Sequence, residues 1–174
     1  DAEKSAQDAA DRLQRTADML EDLSLEIQQE NIADQLQRLR PLVDRLYSEE
    51  IQLATDSNST WNQVDPALKD SLTKRADIPE DARIAFEQTA REYAARQLAL
   101  RQLLARAENE LRVLPAFQLV TEAILADMDQ AVAGFERSKY EDTALPAVDA
   151  AQRRLQQLQE AIAELPDQPN NEAA

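Results

Sequence analysis

Apolar residues recur at every seventh position over the fifty residues from Phe86 to Phe135. The series consists of Phe86, Tyr93, Leu100, Ala107, Leu114, Thr121, Met128 and Phe135, and Thr121 is its one polar member. A companion series contains Ala90, Leu104, Leu111, Leu125 and Val132, with the polar exceptions Gln97 and Gln118. Two such series mark the buried face of a helix that packs along its length against other helices. The pattern predicts one long helix over residues 80–137.

The N-terminal part of the chain predicts a second long helix, over residues 2–55, whose apolar stripe changes phase near residues 25–32. The first stripe contains Ala6, Ala9, Leu13, Ala17, Leu20, Leu23 (or Ser24) and Ile27. The second contains Leu25, Ile32, Leu39, Leu46 and Leu53, accompanied by Leu36 and Val43. A phase change of this kind either turns the helix toward a different neighbour or breaks it locally. We favour one helix.

Two prolines lie inside these patterns, Pro41 and Pro115. Proline costs on the order of 3 kcal/mol in a helix interior, because it lacks an N–H donor and its ring clashes with the preceding turn. The period of seven nevertheless continues across both positions, which a loop of arbitrary length would preserve only by chance. The sequence therefore predicts long helices that are kinked near Pro41 and Pro115.

Turn signals divide the rest of the chain. The polar run at residues 55–60 predicts a loop, because its side chains compete with a helix for backbone hydrogen bonds. Asp65 and Pro66 are typical of a helix start and predict a short helix over residues 66–75. The one glycine, Gly134, begins a predicted turn that runs to Thr143. Residues 166–174 are polar, contain proline and predict a disordered tail or linker.

The last predicted helix, residues 143–165, has the clearest apolar stripe of all. It begins with Asp142 or Thr143 as the expected N-cap. One side of the stripe contains Val148, Leu155 and Ile162, and the other contains Ala151, Leu158 and Leu165. This face requires a partner, which the first long helix provides if it runs antiparallel to the helix over 80–137. Three helices are then expected at that end of the molecule.

Composition gives the fold class. Aromatic residues make up only 4% of the 174 residues, while hydrophobic residues make up 43%. Sheets require β-branched and aromatic residues and glycine-containing turns, so this chain is predicted to be all-α. We expect one elongated antiparallel helical bundle or coiled coil over residues 1–165.

The charge of the chain excludes several partners. Its 34 acidic and 19 basic residues give a formal net charge of −15. Nucleic acids and anionic lipids both require a basic surface, so we expect neither as a partner. No apolar run approaches the roughly 18 residues of a membrane span, so no membrane insertion is expected in this segment. The chain also lacks an initiator methionine, and we expect it to be a mature form or a piece of a longer product.

The residue types that most catalysts require are missing. The chain contains no histidine and no cysteine, which removes the usual general base and the thiolate nucleophile. A single glycine does not suffice for a phosphate-binding loop or a dinucleotide motif. We therefore predict a protein that is not an enzyme and that has no cofactor.

Three acidic pairs and one tryptophan are the candidate functional residues. The pairs are Glu26 with Glu30, Glu49 with Glu50, and Asp127 with Asp129. A hard cation such as Ca²⁺ bridges acidic pairs in some proteins, but the calcium-loop pattern is missing, so we interpret these pairs as solvated helix surface and predict no metal site. Trp61 is a candidate partner contact. It can equally cover the end of the bundle.

Four further polar or aromatic positions are open to two interpretations. Gln97 and Gln118 can fix the register of the helices by hydrogen bonding across the bundle, or they can face water. Tyr93 lies on the apolar series and is expected in the core, whereas Tyr47 and Tyr140 lie near predicted turns.

Two stretches of the chain resemble a known class of protein. They are Ala126-Asp-Met-Asp-Gln-Ala-Val-Ala-Gly-Phe135 and Ala144-Leu-Pro-Ala-Val-Asp-Ala-Ala-Gln-Arg-Arg-Leu-Gln-Gln-Leu-Gln-Glu-Ala161. Together they resemble helical segments of large uncharacterised cell-envelope proteins of planctomycetes and proteobacteria, although Asp149 stands where that pattern has glutamine. The resemblance covers about a quarter of the chain. It implies an extracytoplasmic, structural or assembly role and no catalytic residues.

The leading hypothesis is a non-enzymatic helical structural or interaction module of a larger bacterial envelope protein, which binds other proteins through its helical faces. Three alternatives remain open. They are a cytosolic helical adaptor or regulatory domain, an obligate coiled-coil oligomerisation domain, and a metal-dependent hydrolase that uses only carboxylates.

Overall fold

The structure is a computed structural model and describes residues 2–74 and 79–165. Every regular element in these ranges is helical, which confirms the all-α prediction. The α-helices are α1 (Ala2–Arg38), α2 (Arg40–Gln63), α3 (Pro66–Lys74), α4 (Glu80–Leu111), α5 (Pro115–Glu136) and α6 (Leu145–Ala163), and a π-helical turn at Tyr140–Ala144 precedes α6. The predicted end of α3 at Arg75 and the predicted tail over residues 166–174 lie outside the described residues.

Helices α2, α4, α5 and α6 form a four-helix bundle in which each helix is antiparallel to its sequence neighbour. Cross-helix bonds give the directions of α2 and α4: Gln97 contacts Glu50, whereas Tyr93, earlier in α4, contacts Asp56, later in α2. The core contains Val43, Leu46, Leu53, Leu104, Leu111, Ile124, Met128, Val148, Leu155 and Ile162, each with no exposed surface. Four helices share this core, so the prediction of three helices at one end was wrong.

Pro115 reverses the chain and does not kink a helix. Helix α4 ends at Leu111, Leu114 is extended with φ −115° and ψ 133°, and Pro115 occupies the first turn of α5, where a missing N–H costs nothing. Helices α4 and α5 then pack side by side as a hairpin, and Arg101 bonds Asp129 across it. The predicted single helix over 80–137 is corrected to two antiparallel helices. The apolar period of seven continues across the break because α4 and α5 both bury residues of the series that runs from Phe86 to Phe135.

The interruption near Pro41 is one residue long. Leu39 separates α1 from α2 and keeps a right-handed helical backbone, with φ −81° and ψ −12°. Its N–H bonds the Leu36 carbonyl at 3.1 Å, and its own carbonyl accepts from Val43 at 3.0 Å. The chain therefore continues from α1 into α2 without a loop.

The predicted loop at residues 55–60 is helical, and α2 extends to Gln63. Thr55, Ser57 and Asn58 each donate a side-chain hydrogen bond to a carbonyl four residues earlier, at 2.9, 2.7 and 2.8 Å. These polar groups are satisfied within the helix and do not need to break it. Ser57 is buried, and Trp61 one turn later extends the same packed face.

Gly134, which was expected to begin a turn, lies in the last turn of α5, and the helix ends at Glu136. The amides of Ser138 and Lys139 bond the carbonyls of Phe135 and Gly134, at 3.0 and 2.8 Å, which is the hydrogen-bond pattern of a Schellman motif. The chain then makes one π-helical turn before α6 begins at Leu145. Neither Asp142 nor Thr143 caps α6, because both lie within that turn, so the predicted N-cap is corrected.

Candidate functional site

The most unusual surface of the molecule is the N-terminal part of α1. Every residue from 2 to 27 is exposed, although this segment has the apolar stripe of a packed helix. We call residues 2–27 the arm. At 1.5 Å per residue it is ~39 Å long.

The arm is strongly amphipathic. Its stripe includes Leu13 and Leu20, which are 72% and 62% exposed, together with Ala6, Ala9, Leu23 and Ile27. At 100° per residue, the opposite side of the helix contains Lys4, Asp8, Asp11, Arg15, Asp18, Asp22 and Glu26, all of which are charged. A helix with one apolar and one charged side is built to pack against a partner through its apolar side. The partner of this stripe is not among the described helices.

The base of the arm is fixed to the bundle. Burial begins with Ala33 and Leu36, and the side-chain amide of Gln37 donates to the carbonyls of Ile162 and Leu165 at the end of α6, at 3.1 and 3.4 Å. These contacts hold the last turns of α1 against the bundle. The arm therefore extends from an anchored base.

A polar pair lies inside the bundle where α2 faces α4. Glu50 and Gln97 both have no exposed surface, and the Gln97 amide nitrogen donates to Glu50 Oε2 at 2.9 Å. The other oxygen of each group, Glu50 Oε1 and Gln97 Oε1, has no hydrogen-bond partner in the described part of the chain. Two buried acceptors without a donor are costly.

Burial raises the pKa of Glu50 from 4.5 to about 7. Desolvation of the carboxylate is the main cause, the Gln97 hydrogen bond opposes it, and the negative charge of Asp127 on α5 adds to the increase. Asp127 is itself buried and pairs with Arg154 of α6. Because desolvation penalises the charged form, the neutral acid suits this site better than the carboxylate.

Two of the three acidic pairs named from the sequence, Glu49 with Glu50 and Asp127 with Asp129, are divided by the fold. Glu49 is exposed and bonds Arg45, while its neighbour Glu50 is buried. Asp127 pairs with Arg154, and Asp129 is exposed and pairs with Arg101 across the hairpin. Glu26 lies on the charged side of the arm, and the side chain of Glu30 lies outside the described set. Within residues 2–74 and 79–165, no group of three or more metal-ligating side chains converges.

Sequence reasoning missed the burial of Glu50, although a signal was present. Leu36 and Val43 are seven residues apart, and two further steps of seven reach Glu50 and Ser57. Both are buried. Gln97, at a series position, bonds across the bundle as one interpretation required, whereas Gln118 bonds Glu122 on its own helix.

Trp61 is not an exposed anchor. Only 8% of it is exposed, and it stacks on Tyr140 with ring centroids 5.5 Å apart, next to Phe86 at 6.2 Å. Tyr93 and Phe135 complete this aromatic cluster, which covers the end of the bundle where α2 ends and α4 begins. This burial agrees with the alternative interpretation, in which Trp61 covers the end of the bundle, and the partner contact at Trp61 stays a prediction.

A groove of about 390 Å³ lies between α2 and α4. Its floor contains Leu100 and Leu103, and its rim contains Arg45 and Arg96. Both arginines are already paired, with Glu49 and Asp56 respectively. The groove therefore offers no unpaired arginine for a ligand, and the arm is the stronger candidate.

Comparison with known protein families, with curated protein sequences and with solved structures gives no match for this chain. Among the helices that the structure describes, none combines the length and the apolar character needed to cross a bilayer.

Proposed function

We propose that this chain is a non-enzymatic helical interaction module, in which the four-helix bundle is a rigid base and the arm is the element that binds protein. The observation that supports this function is the exposed apolar stripe of the arm, which contains Leu13, Leu20, Leu23 and Ile27 at 52–72% exposure. A contiguous apolar surface of this kind typically marks a site of protein association.

The bundle contributes stability to the module. Its core is continuous from Leu36 at the base of α1 to the aromatic cluster around Trp61. Two of the buried acidic side chains are paired within the bundle, since Glu50 bonds Gln97 and Asp127 pairs with Arg154. A rigid base holds the arm in one direction, which lowers the entropy lost when the arm binds.

Photo-crosslinking in cells that make the whole parent protein tests this function. A photoreactive phenylalanine analogue replaces Leu20 on the stripe, and in a matched variant it replaces Asp22 on the charged side. We expect protein crosslinks from position 20 and none from position 22. A third variant at Leu119, an exposed leucine of the bundle with 68% exposure, controls for apolar exposure alone. Equal crosslinking at all three positions, or none at position 20, contradicts the proposal.

The compartment is a separate part of the proposal. The resemblance of residues 126–135 and 144–161 to helical segments of envelope proteins supports an extracytoplasmic module. Fractionation of cells that make the parent protein tests it, and recovery of the protein in the cytosolic fraction favours a cytosolic adaptor instead.

A further inference from the structure

We propose that the partner of the arm is the arm of a second copy of this chain, and that the two arms pair in antiparallel orientation. This inference rests on the proposed function and adds the identity of the partner. Its supports are the distribution of charge along the arm, the sizes of the side chains on the stripe, and the position of the bundle.

Charge along the arm is unequal. Residues 2–15 contain three acidic and three basic side chains, whereas residues 16–27 contain four acidic and no basic side chains, namely Asp18, Glu21, Asp22 and Glu26. Parallel pairing places the two acidic halves side by side, which is repulsive. Antiparallel pairing places each acidic half beside the half that contains Lys4, Arg12 and Arg15.

Side-chain size favours the same orientation. When Leu13 is placed opposite Leu23 of the second copy, Ile27 lies opposite Ala9 and Leu20 lies opposite Thr16. Ile27 and Leu20 then pack against smaller residues, and Leu13 packs against Leu23, which fills the interface. Parallel pairing in register places Ala9 on Ala9 and Thr16 on Thr16, which leaves gaps between the helices.

The bundles are then held apart. Most of the formal charge of −15 lies outside the arm, so two bundles placed side by side repel one another. In the antiparallel pair they lie at opposite ends, ~40 Å apart at 1.5 Å per residue. This separation is several Debye lengths at physiological salt, so their repulsion is screened.

Sedimentation equilibrium of the full 174-residue chain at micromolar concentration is the first test, and we expect a dimer. Leu20→Asp should convert it to a monomer, because it places a charge in the pairing stripe. Leu119→Asp, the same change at an exposed leucine of the bundle, should leave the dimer intact. Circular dichroism establishes that both variants keep their bundles folded. A monomeric wild-type chain, or a dimer that Leu20→Asp leaves intact, overturns the inference.

Engineered disulfides then test the orientation, and the absence of native cysteine makes them unambiguous. In the antiparallel register, two copies of residue 13 lie ~15 Å apart along the axis, whereas a disulfide requires Cα atoms within about 7 Å. Leu13→Cys alone should therefore not crosslink on oxidation, and Leu13→Cys combined with Leu23→Cys should. Efficient crosslinking by Leu13→Cys alone shows parallel pairing and overturns the orientation.

The two proposals fail separately. If the chain is monomeric and position 20 crosslinks to a different protein in cells, the arm is an interaction element and the self-pairing is refuted. If position 20 gives no crosslinks at all, the proposed function is refuted.

Discussion

Glu50 illustrates how one buried residue affects the stability of the bundle. Glu50 is an ionisable group in a buried series that also contains Leu36, Val43 and Ser57, and its carboxyl group accepts one hydrogen bond, from the amide of Gln97. An apolar residue can often replace a buried ionisable group without loss of stability. The presence of Glu50 in the core is therefore weak evidence that it stabilises the bundle. Because Glu50 is buried and ionisable, the stability of the bundle depends on pH.

We predict that Glu50→Gln removes a pH-dependent loss of stability. The folded-state pKa of Glu50 is about 7 and the unfolded reference value is 4.5, so the folded chain binds more protons between these values. The free energy of unfolding therefore falls as pH rises from 4.5 to about 7 and then levels. The full loss is about 3 kcal/mol, at 1.36 kcal/mol per pKa unit.

Urea denaturation of the wild type and of Glu50→Gln at pH 5 and pH 8 measures this effect. The variant should be the more stable chain at pH 8, and its advantage should shrink at pH 5. Glu49→Gln, an exposed neighbour, should follow the wild type at both pH values. A Glu50→Gln curve parallel to the wild type at both values contradicts the assigned pKa.

Thr121 gives a second prediction at this scale. It has no exposed surface, and its hydroxyl has no hydrogen-bond partner within the described residues. Thr121→Val keeps the shape of the side chain and removes the polar atom, so we expect a gain of about 1 kcal/mol in the free energy of unfolding. The control Thr55→Val removes an exposed hydroxyl that is bonded to Ile51 and should give no gain. Destabilisation by Thr121→Val would show that the hydroxyl has a partner.

At the scale of the elements, the closest approach lies between the end of α5 and the start of α6. A Cβ atom on Gly134 would lie 2.7 Å from the nitrogen and 2.9 Å from the Cα of Ala144. Contacts this short with backbone atoms require a shift of the neighbouring segment. We therefore predict that Gly134→Ala destabilises the bundle by about 2 kcal/mol, although alanine favours a helix by about 1 kcal/mol.

Thermal unfolding followed by circular dichroism measures the effect of Gly134→Ala. The double variant with Ala144→Gly distinguishes the cause, because it removes the Cβ contact of 3.0 Å and leaves both backbone contacts. It should not recover the wild-type midpoint. Recovery in the double variant would show that the side chains alone are in conflict.

The elements also show what the sequence could predict. The periodic series identified the buried faces correctly, since Phe86, Tyr93, Leu100 and Ala107 of one series are buried. The same series could not distinguish a kink from a reversal at Pro115, because α4 and α5 bury the same face whether they are collinear or antiparallel. Only contacts between residues distant in sequence, such as Arg101 with Asp129, decide between these arrangements.

The loop prediction at residues 55–60 failed for a different reason. Serine, threonine and asparagine occur both in turns and inside helices, and a cluster of them favours a turn. Here the face that contains Leu53, Ser57 and Trp61 is buried, and the packing of that face keeps the segment helical. Tertiary burial of this face outweighed the local preference for a turn.

The whole molecule consists of two regions of unequal stability. The bundle has a continuous core, whereas residues 2–27 bury no side chain within the described structure. Isolated helices gain little stability in water without packing. The helix of the arm should therefore depend for its stability on pairing with a second copy, whereas the stability of the bundle should not depend on that pairing.

We predict that heating separates these regions. The arm should unfold first, with a midpoint that rises with protein concentration because dimerisation stabilises its helix by mass action. The bundle should unfold later, with a midpoint independent of concentration. A chain that begins at Gln28 should lose the first transition and keep the second. Circular dichroism at 222 nm over a hundredfold range of concentration measures both, and a single transition that loses its stability on truncation would show that the arm and the bundle unfold as one unit.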